Sequence, residues 1–235
     1  MSHRSAGTAA HRAAWTRRLL RFVHLNVGLM LFGLSVALMV TAHVGLGPWD
    51  VFHQGLALRT PLTIGQAMVL AGLALLIVSA FAAKVRPGLG TVLNMALIGP
   101  WVDLFLGLPG FPVGDGAAWG WTLFASGLAL NGVATGLYIT AGLGAGPRDG
   151  FALALAGLLG TSVRRARTLV EAIVLASGWL LGGTVGLGTL AFAVAIGPLM
   201  QGGLRLMRPL ERAYARGGAW PAGVRDAAGR PQGHG

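Results

Sequence analysis

Two stretches of the sequence, GLGPWDVFHQGLA at 45–57 and AGLGAGPRDGFALALAG at 141–157, contain the same pattern, Gly-x-Gly-Pro-x-Asp. Each pattern stands at the end of a long run without charged residues. Glycine permits the backbone angles that end a helix, and proline is favoured in the first turn of the next helix. The two stretches therefore predict a long helix, a break and a new short helix, twice along the chain.

The composition around these stretches is that of a membrane protein. Of the 235 residues, 54% are hydrophobic and only 11% are charged, whereas a soluble domain carries roughly 25% charged residues. The net charge is +11, but the basic residues stand in short clusters between apolar runs and form no continuous basic domain. We therefore expect a multi-pass integral membrane protein, and neither a soluble enzyme nor a nucleic-acid binder.

The uncharged runs give the expected positions of the spanning helices. About 20 helical residues cross a hydrocarbon core of about 30 Å, and the runs are 22–49, 60–83, 87–102, 116–147 and 172–204. The last run is long enough for two helices and is interrupted by the glycine-rich segment 182–188, which suits a tight hairpin. Six spans are predicted, near 24–44, 63–83, 89–107, 120–142, 167–183 and 187–206.

The positions of the basic residues give the orientation of these six spans. With the N-terminus in the cytoplasm, every lysine and arginine except Arg59 lies on the cytoplasmic side, as the excess of positive charge in cytoplasmic loops requires. In an alternative with eight spans, 50–58 and 149–163 would also cross the membrane. That alternative moves Lys84, Arg86 and Arg148 outside, and its extra spans are short, so six spans are preferred.

An internal repeat relates the two halves of the chain. A shift of about 99 residues places 45–50 on 144–149, and a shift of about 98 places 88–91 on 186–189. Each half then contains three spans, an odd number, so the second half enters the membrane from the opposite side. Inverted repeats of this kind are common in secondary transporters, whose binding sites form between the halves from broken helices.

The predicted fold is an all-α polytopic membrane protein with six transmembrane helices in two inverted three-helix repeats, each with a Gly-Pro-broken re-entrant or interfacial short helix. A basic cytoplasmic segment (1–22) precedes repeat 1 (23–108), an external linker (109–119) leads to repeat 2 (120–206), and a disordered cytoplasmic tail follows (207–235). The basic ends are expected to contact the lipid bilayer, with its anionic lipids at the cytoplasmic face. Homo-oligomerisation stays open.

Two further stretches, RPGLGTVLNMALIG at 86–99 and GGTVGLGTLAFAVAIGPLMQ at 182–201, complete the characteristic segments. Together with the two Gly-Pro-x-Asp stretches, they resemble the bacterial YczE-like integral membrane proteins and, more loosely, the YitT-type group. The resemblance covers about 25–206. It implies a location in the bacterial cytoplasmic membrane but no particular substrate.

Asp50 and Asp149 are the leading candidates for a binding site. Each would lie in the first turn of a broken helix, where a carboxylate can act as a cap. Alternatively, the broken helices line a cavity in which these residues, with Trp49 and Arg148 beside them, contact a polar ligand or an ion. The two interpretations differ in whether an asparagine substitution preserves function.

Three further polar positions are predicted within the spans. Glu171 is an intramembrane acid and hence a functional candidate, but Arg167 lies one helical turn earlier, so an ion pair explains it equally well. Asn94 and Asn131 are the most deeply placed neutral polar residues, and hydrogen bonds between helices account for them without a ligand.

No enzyme motif, cofactor motif or metal-ligand cluster is evident in the sequence. His43 and His53 stand near the first break but lack a third ligand nearby. Two function classes remain: a transporter or exporter of a small solute, and a non-transporting scaffold or accessory protein. A polar cavity between the halves would favour the first class, and a closed, dry core would favour the second.

Overall fold

The computed structural model of the protein describes residues 2–83, 88–144 and 146–215, and this part of the chain contains α-helices and no strand. The helices in chain order are α1 (Ser2–Thr41), α2 (Pro48–Arg59), α3 (Ile64–Ala83), α4 (Leu89–Leu106), α5 (Ala117–Thr140), α6 (Pro147–Leu159), α7 (Val163–Leu180) and α8 (Leu187–Ala215). The predicted all-α class is confirmed.

Within the described residues, five helices are long and apolar enough to cross a membrane: α1, α3, α4, α5 and α8. The predicted span at 167–183 overlaps α7, which is not among the five because Arg164, Arg165, Arg167 and Glu171 all lie in its first half. Helices α2 and α6 have 12 and 13 residues. At 1.5 Å per residue each reaches roughly 20 Å, which is short of a full span.

The structure differs from the sequence prediction at both ends of the membrane region. Helix α1 is continuous from Ser2 to Thr41, with no boundary at the predicted end of the N-terminal segment. Helix α8 continues to Ala215 through Pro209, so 207–215 is helical rather than disordered. The rest of the predicted tail, 216–235, lies outside the described residues.

The two breaks have the same backbone geometry. Gly45 has φ 121° and Gly144 has φ 138°, values that L-residues with side chains rarely adopt. Gly47 and Gly146 are the N-caps of α2 and α6, both extended, and a proline follows each of them. The predicted sequence of long helix, break and short helix is confirmed at both positions.

The long helices α1 and α5 pack against each other at the centre of the molecule, with α4 against α1 and α8 against α5. Each short helix packs across to the other half of the chain: α2 against α7, and α6 against α3. The tightly buried core lies along α1 and α5 and includes Leu25, Leu29, Val36, Phe124 and Leu128.

Polar side chains form hydrogen bonds at several helix ends. The Arg21 guanidinium donates to the carbonyl oxygens of Ala141 and Gly142, both at 2.8 Å, at the end of α5. Asp103 accepts from the Thr63 hydroxyl and, at 2.8 Å, from the Gly65 backbone amide at the start of α3. Because these groups satisfy backbone atoms that a helix end leaves without partners, they fix how the helices meet.

The pairs α3–α4 and α7–α8 are arranged differently. Helices α3 and α4 pack closely at Gly65 and Gly99, where a Cβ on either glycine would come within 2.2 Å of the other's carbonyl oxygen. The predicted repeat matches Gly197 of α8 to Gly99, and a Cβ on Gly197 would meet nothing within 4 Å. Helices α7 and α8 make at most marginal contact, so this side of the molecule is less tightly closed.

Candidate binding cavity

A cavity of about 210 Å³ lies among the helices, with walls from both halves of the chain. The first turns of α2 and α6 reach it through Gly47, Pro48, Gly146 and Pro147. A binding pocket for a drug-sized ligand has about 300–1,000 Å³. This cavity therefore has the size for a small solute.

The structure brings most of the predicted site residues together at this cavity. Those that line it are Trp49, Asp50, Asn94, Asn131, Arg148 and Glu171. The side chain of Asp149, the remaining predicted residue, lies outside the described part of the structure, although its backbone is in the first turn of α6. Residues almost 100 positions apart in the sequence thus share one cavity.

Asp50 lies in the first turn of α2, as predicted, and is buried, with 5% of its surface exposed. The N-cap position belongs to Gly47, and the Asp50 Oδ1 atom has no hydrogen-bond partner among the described residues. His53, one turn later on α2, is also buried, and its Nδ1 atom likewise lacks a partner. The two atoms are 3.8 Å apart, which is longer than a hydrogen bond.

Charged residues of α6 and α7 also line the cavity. The Arg148 guanidinium lies over the Trp49 ring, with its central carbon 4.9 Å from the ring centroid, a cation–π geometry. Arg167 Nε donates to Glu171 Oε1 at 3.0 Å, and both side chains are partly exposed. The ion pair predicted from the spacing of Arg167 and Glu171 is therefore present.

The two asparagines have different surroundings. Asn131 Nδ2 donates to Ser35 Oγ at 3.0 Å, and this buried hydrogen bond joins α5 to α1. Asn94 is buried on α4 next to the start of α6, since a Cβ on Gly146 would lie 3.5 Å from its Oδ1 atom. For Asn131, the predicted hydrogen bond between helices is confirmed.

Several lining residues are absent from the predicted site, among them His53, Thr135, Tyr138 and Arg167. Two of them carried a signal: His53 is three residues after Asp50, and Arg167 is four before Glu171, so each shares a helix face with a predicted residue. Thr135 and Tyr138 carried none, because only the packing of α5 turns them towards the cavity.

The two histidines near the first break, His43 and His53, do not come together at this site. His53 lies in the cavity wall, whereas His43 is exposed at the break before α2, with φ 57°. Among the described residues, no group of three or more His, Cys, Asp or Glu side chains is arranged to hold a metal ion. The cavity wall combines many apolar side chains with a few polar, aromatic and charged groups.

Comparison with known proteins assigns the chain to a family. The model of a family of unknown function, DUF6198, matches residues 19–203, which include all the residues that line the cavity. The chain belongs to the DUF6198 family. The uncharacterized membrane protein YczE of Bacillus subtilis is 32% identical over 184 residues, 77% of this chain and 84% of that protein. The resemblance to YczE-like proteins is therefore confirmed.

Two further relatives support the membership in the DUF6198 family. An uncharacterized protein of Haemophilus influenzae is 36% identical over 198 residues, 82% of this chain and 87% of the relative. The uncharacterized protein YyaS of Bacillus subtilis is 27% identical over 186 residues, 77% of this chain and 90% of the relative. No solved structure matches the chain. With five apolar helices and a membrane protein as relative, this DUF6198 protein is an integral membrane protein.

Proposed function

We propose that this protein transports or exports a small solute across the bacterial cytoplasmic membrane, with its site in the cavity between two inverted repeats. The observation that carries the proposal is that the cavity wall contains residues from equivalent positions of both halves. The equivalent pairs in the wall are Phe32 and Asn131, Pro48 and Pro147, Trp49 and Arg148, Met68 and Arg167, Asn94 and Phe192, and Ile98 and Ile196.

A pair of backbone hydrogen bonds supports the repeat. The Gly90 amide donates to the Leu143 carbonyl at 2.7 Å, and the Gly188 amide donates to the Val44 carbonyl at 2.8 Å. The two bonds are related by the same shifts that superpose the sequences, and each joins one half to the other. Reciprocal contacts of this kind are expected where two repeats pack about a pseudo-two-fold axis.

The proposed topology has six spans, with α7 as the fifth in chain order and with α2 and α6 as re-entrant helices. In this arrangement Arg164 and Arg165 lie in the first turn of α7 at the cytoplasmic surface, where basic residues are favoured. Both chain termini are then cytoplasmic. Arg59 is the one external cation, and its Nε donates to the Leu181 carbonyl at the end of α7, 3.0 Å away.

The cavity favours a transporter over a scaffold, the alternative that the sequence left open. A scaffold needs only a packed interior, and unpaired polar groups there would cost stability. Here Asp50 and His53 line the cavity, and Asp50 Oδ1 and His53 Nδ1 are buried without a hydrogen-bond partner among the described residues. In a transporter, such groups have a partner when the solute is bound.

Access to the cavity from both sides of the membrane tests the proposal without knowledge of the solute. The chain has no cysteine, so a single cysteine can be introduced without background labelling. Ala152 of α6 lines the cavity, and Ala152→Cys adds only a sulfur atom. We expect an impermeant thiol reagent to label this cysteine in right-side-out vesicles and also in inside-out vesicles, since the site of a transporter opens to each side in turn.

Ala154 provides the matched control. It lies on the same helix, is buried to a similar degree and is not part of the cavity wall. Ala154→Cys should resist the reagent from both sides. Labelling of Ala152→Cys from one side only, in every buffer tested, would contradict alternating access and favour a fixed cavity in a scaffold.

A further inference from the structure

Two residues of the cavity wall each have a buried polar atom without a hydrogen-bond partner among the described residues. Asp50 Oδ1 and His53 Nδ1 lack partners among the described residues, and the exposed fractions of their side chains are only 6% and 2%. Both residues lie on α2 and line the cavity. Burial of a carboxylate without a compensating partner is costly, so the arrangement favours an occupant that supplies one.

The chemistry of the two atoms limits what that occupant can be. An ionised carboxylate only accepts hydrogen bonds, so Asp50 needs a donor. Neutral imidazole accepts at one ring nitrogen, and Nδ1 fills that role when the proton is on Nε2. A protonated amino group has several N–H donors on one atom. It can therefore donate to both atoms, which are 3.8 Å apart, and its charge is opposite to that of Asp50.

The cationic groups already in the cavity wall do not fill this role. Arg167 is paired with Glu171 at 3.0 Å. Arg148 lies over the Trp49 ring, and no hydrogen bond from it reaches Asp50 Oδ1. Both arginines are held by neighbouring side chains, and no described residue donates a hydrogen bond to Asp50 Oδ1, so an occupant of the cavity can supply this bond.

The surroundings of Asp50 suit the apolar body of an amine. Phe32, Trp49, Tyr138 and Phe192 contribute aromatic rings to the wall. Phe192 lies against Gly47, the N-cap of α2, with its nearest ring carbon 2.7 Å from where a Cβ would be. Aromatic faces attract cations through the ring quadrupole. A carboxylate beside aromatic rings thus recognises an ammonium group more readily than an anion or a neutral alcohol.

We propose that the cavity binds a small solute with a protonated amino group, whose nitrogen lies between Asp50 Oδ1 and His53 Nδ1. The proposal rests on the proposed function for its location, since it names the substrate class of the same cavity. It concerns binding, however, and binding can be measured without any transport assay.

Three four-carbon probes of matched size test the proposal on the full-length protein in lipid nanodiscs: n-butylammonium chloride, sodium butyrate and n-butanol. The readout is the Tm of the protein as a function of probe concentration, because a ligand that binds only the folded state raises the Tm. We expect a saturable rise with butylammonium and none with butyrate at equal ionic strength. Butanol shows how far the alkyl chain alone affects the bilayer.

Substitutions then assign the effect to Asp50. Asp50→Asn keeps the size of the side chain and removes its charge, and it should weaken butylammonium binding by roughly tenfold or more, which is about 1.4 kcal/mol. His53→Gln should weaken binding less, and it serves as the second variant if Asp50→Asn does not fold. Asp115→Asn removes an acid in the exposed loop before α5 and should leave the binding of butylammonium unchanged.

The outcomes separate this inference from the proposed function. Saturable stabilisation by butyrate but not by butylammonium, or undiminished butylammonium binding to Asp50→Asn, would overturn the inference even if Ala152→Cys shows alternating access. Absence of any saturable effect of butylammonium would also overturn it, and a water molecule would then bridge the two atoms. Binding of butylammonium together with one-sided labelling of Ala152→Cys would instead support the inference and contradict transport.

Discussion

Asn131 contributes both to helix packing and to the cavity. It lines the cavity and also donates a hydrogen bond to Ser35 on α1. A hydrogen bond between membrane helices contributes about 0.6 kcal/mol on average and at most about 1.7 kcal/mol. A double-mutant cycle of Asn131→Ala and Ser35→Ala, measured by unfolding in detergent, should give a coupling energy in this range. A coupling energy near zero would mean that the hydrogen bond to Ser35 does not stabilise the fold and that Asn131 contributes to the cavity alone.

For individual residues, the sequence predicted which polar side chains line the cavity better than it predicted the contacts of those side chains. Trp49, Asp50 and Arg148 were found because a repeated Gly-Pro-x-Asp pattern marks them, and the structure places them in one cavity. The first-turn position of Asp50 was predicted correctly, but the pattern does not show that its Oδ1 atom has no hydrogen-bond partner among the described residues. Tyr138 was missed because its position depends on how α5 packs, which no local pattern contains.

Among the helices, the crossing of α3 and α4 offers the clearest test of packing. A Cβ on Gly99 would lie 2.2 Å from the Gly65 carbonyl oxygen, whereas a Cβ on Gly197 would meet nothing within 4 Å. Gly99→Ala should therefore lower the free energy of unfolding by about 1–3 kcal/mol, as overpacking does. Gly197→Ala should be neutral or stabilising by up to about 1 kcal/mol, because alanine favours helix.

Unfolding of the two variants in detergent, compared with the unsubstituted protein, checks this prediction. Equal destabilisation by Gly99→Ala and Gly197→Ala would contradict the difference between the two helix pairs and indicate that α8 is packed at Gly197 as α4 is at Gly99.

The helices themselves were predicted with uneven success, for identifiable reasons. The breaks before α2 and α6 were predicted because glycine and proline act locally on the backbone. The extension of α8 to Ala215 was missed, since an apolar run shows where the membrane core ends and not where a helix ends. Helix α7 was predicted as a span from its apolar second half, while its first half carries three arginines and Glu171.

In the molecule as a whole, the two helix pairs that the proposed repeat relates have different arrangements: α3 packs closely against α4, and α7 and α8 scarcely touch. The same cavity is lined by all four of these helices. In inverted-repeat transporters, one half adopts in one state the arrangement that the other half has in the opposite state. We therefore predict a second state in which α7 and α8 approach each other and α3 and α4 separate.

Disulfide cross-linking of the two helix pairs tests whether this second state exists. A Cβ on Gly72 would lie 3.5 Å from Met95 Cβ, within the range of about 3.5–4.5 Å for disulfides, so Gly72→Cys/Met95→Cys should cross-link in native membranes. The equivalent pair, Glu171→Cys/Ala193→Cys, should also cross-link, and butylammonium should change the ratio of the two rates. Complete cross-linking of the first pair, with none of the second under any condition, would contradict alternation.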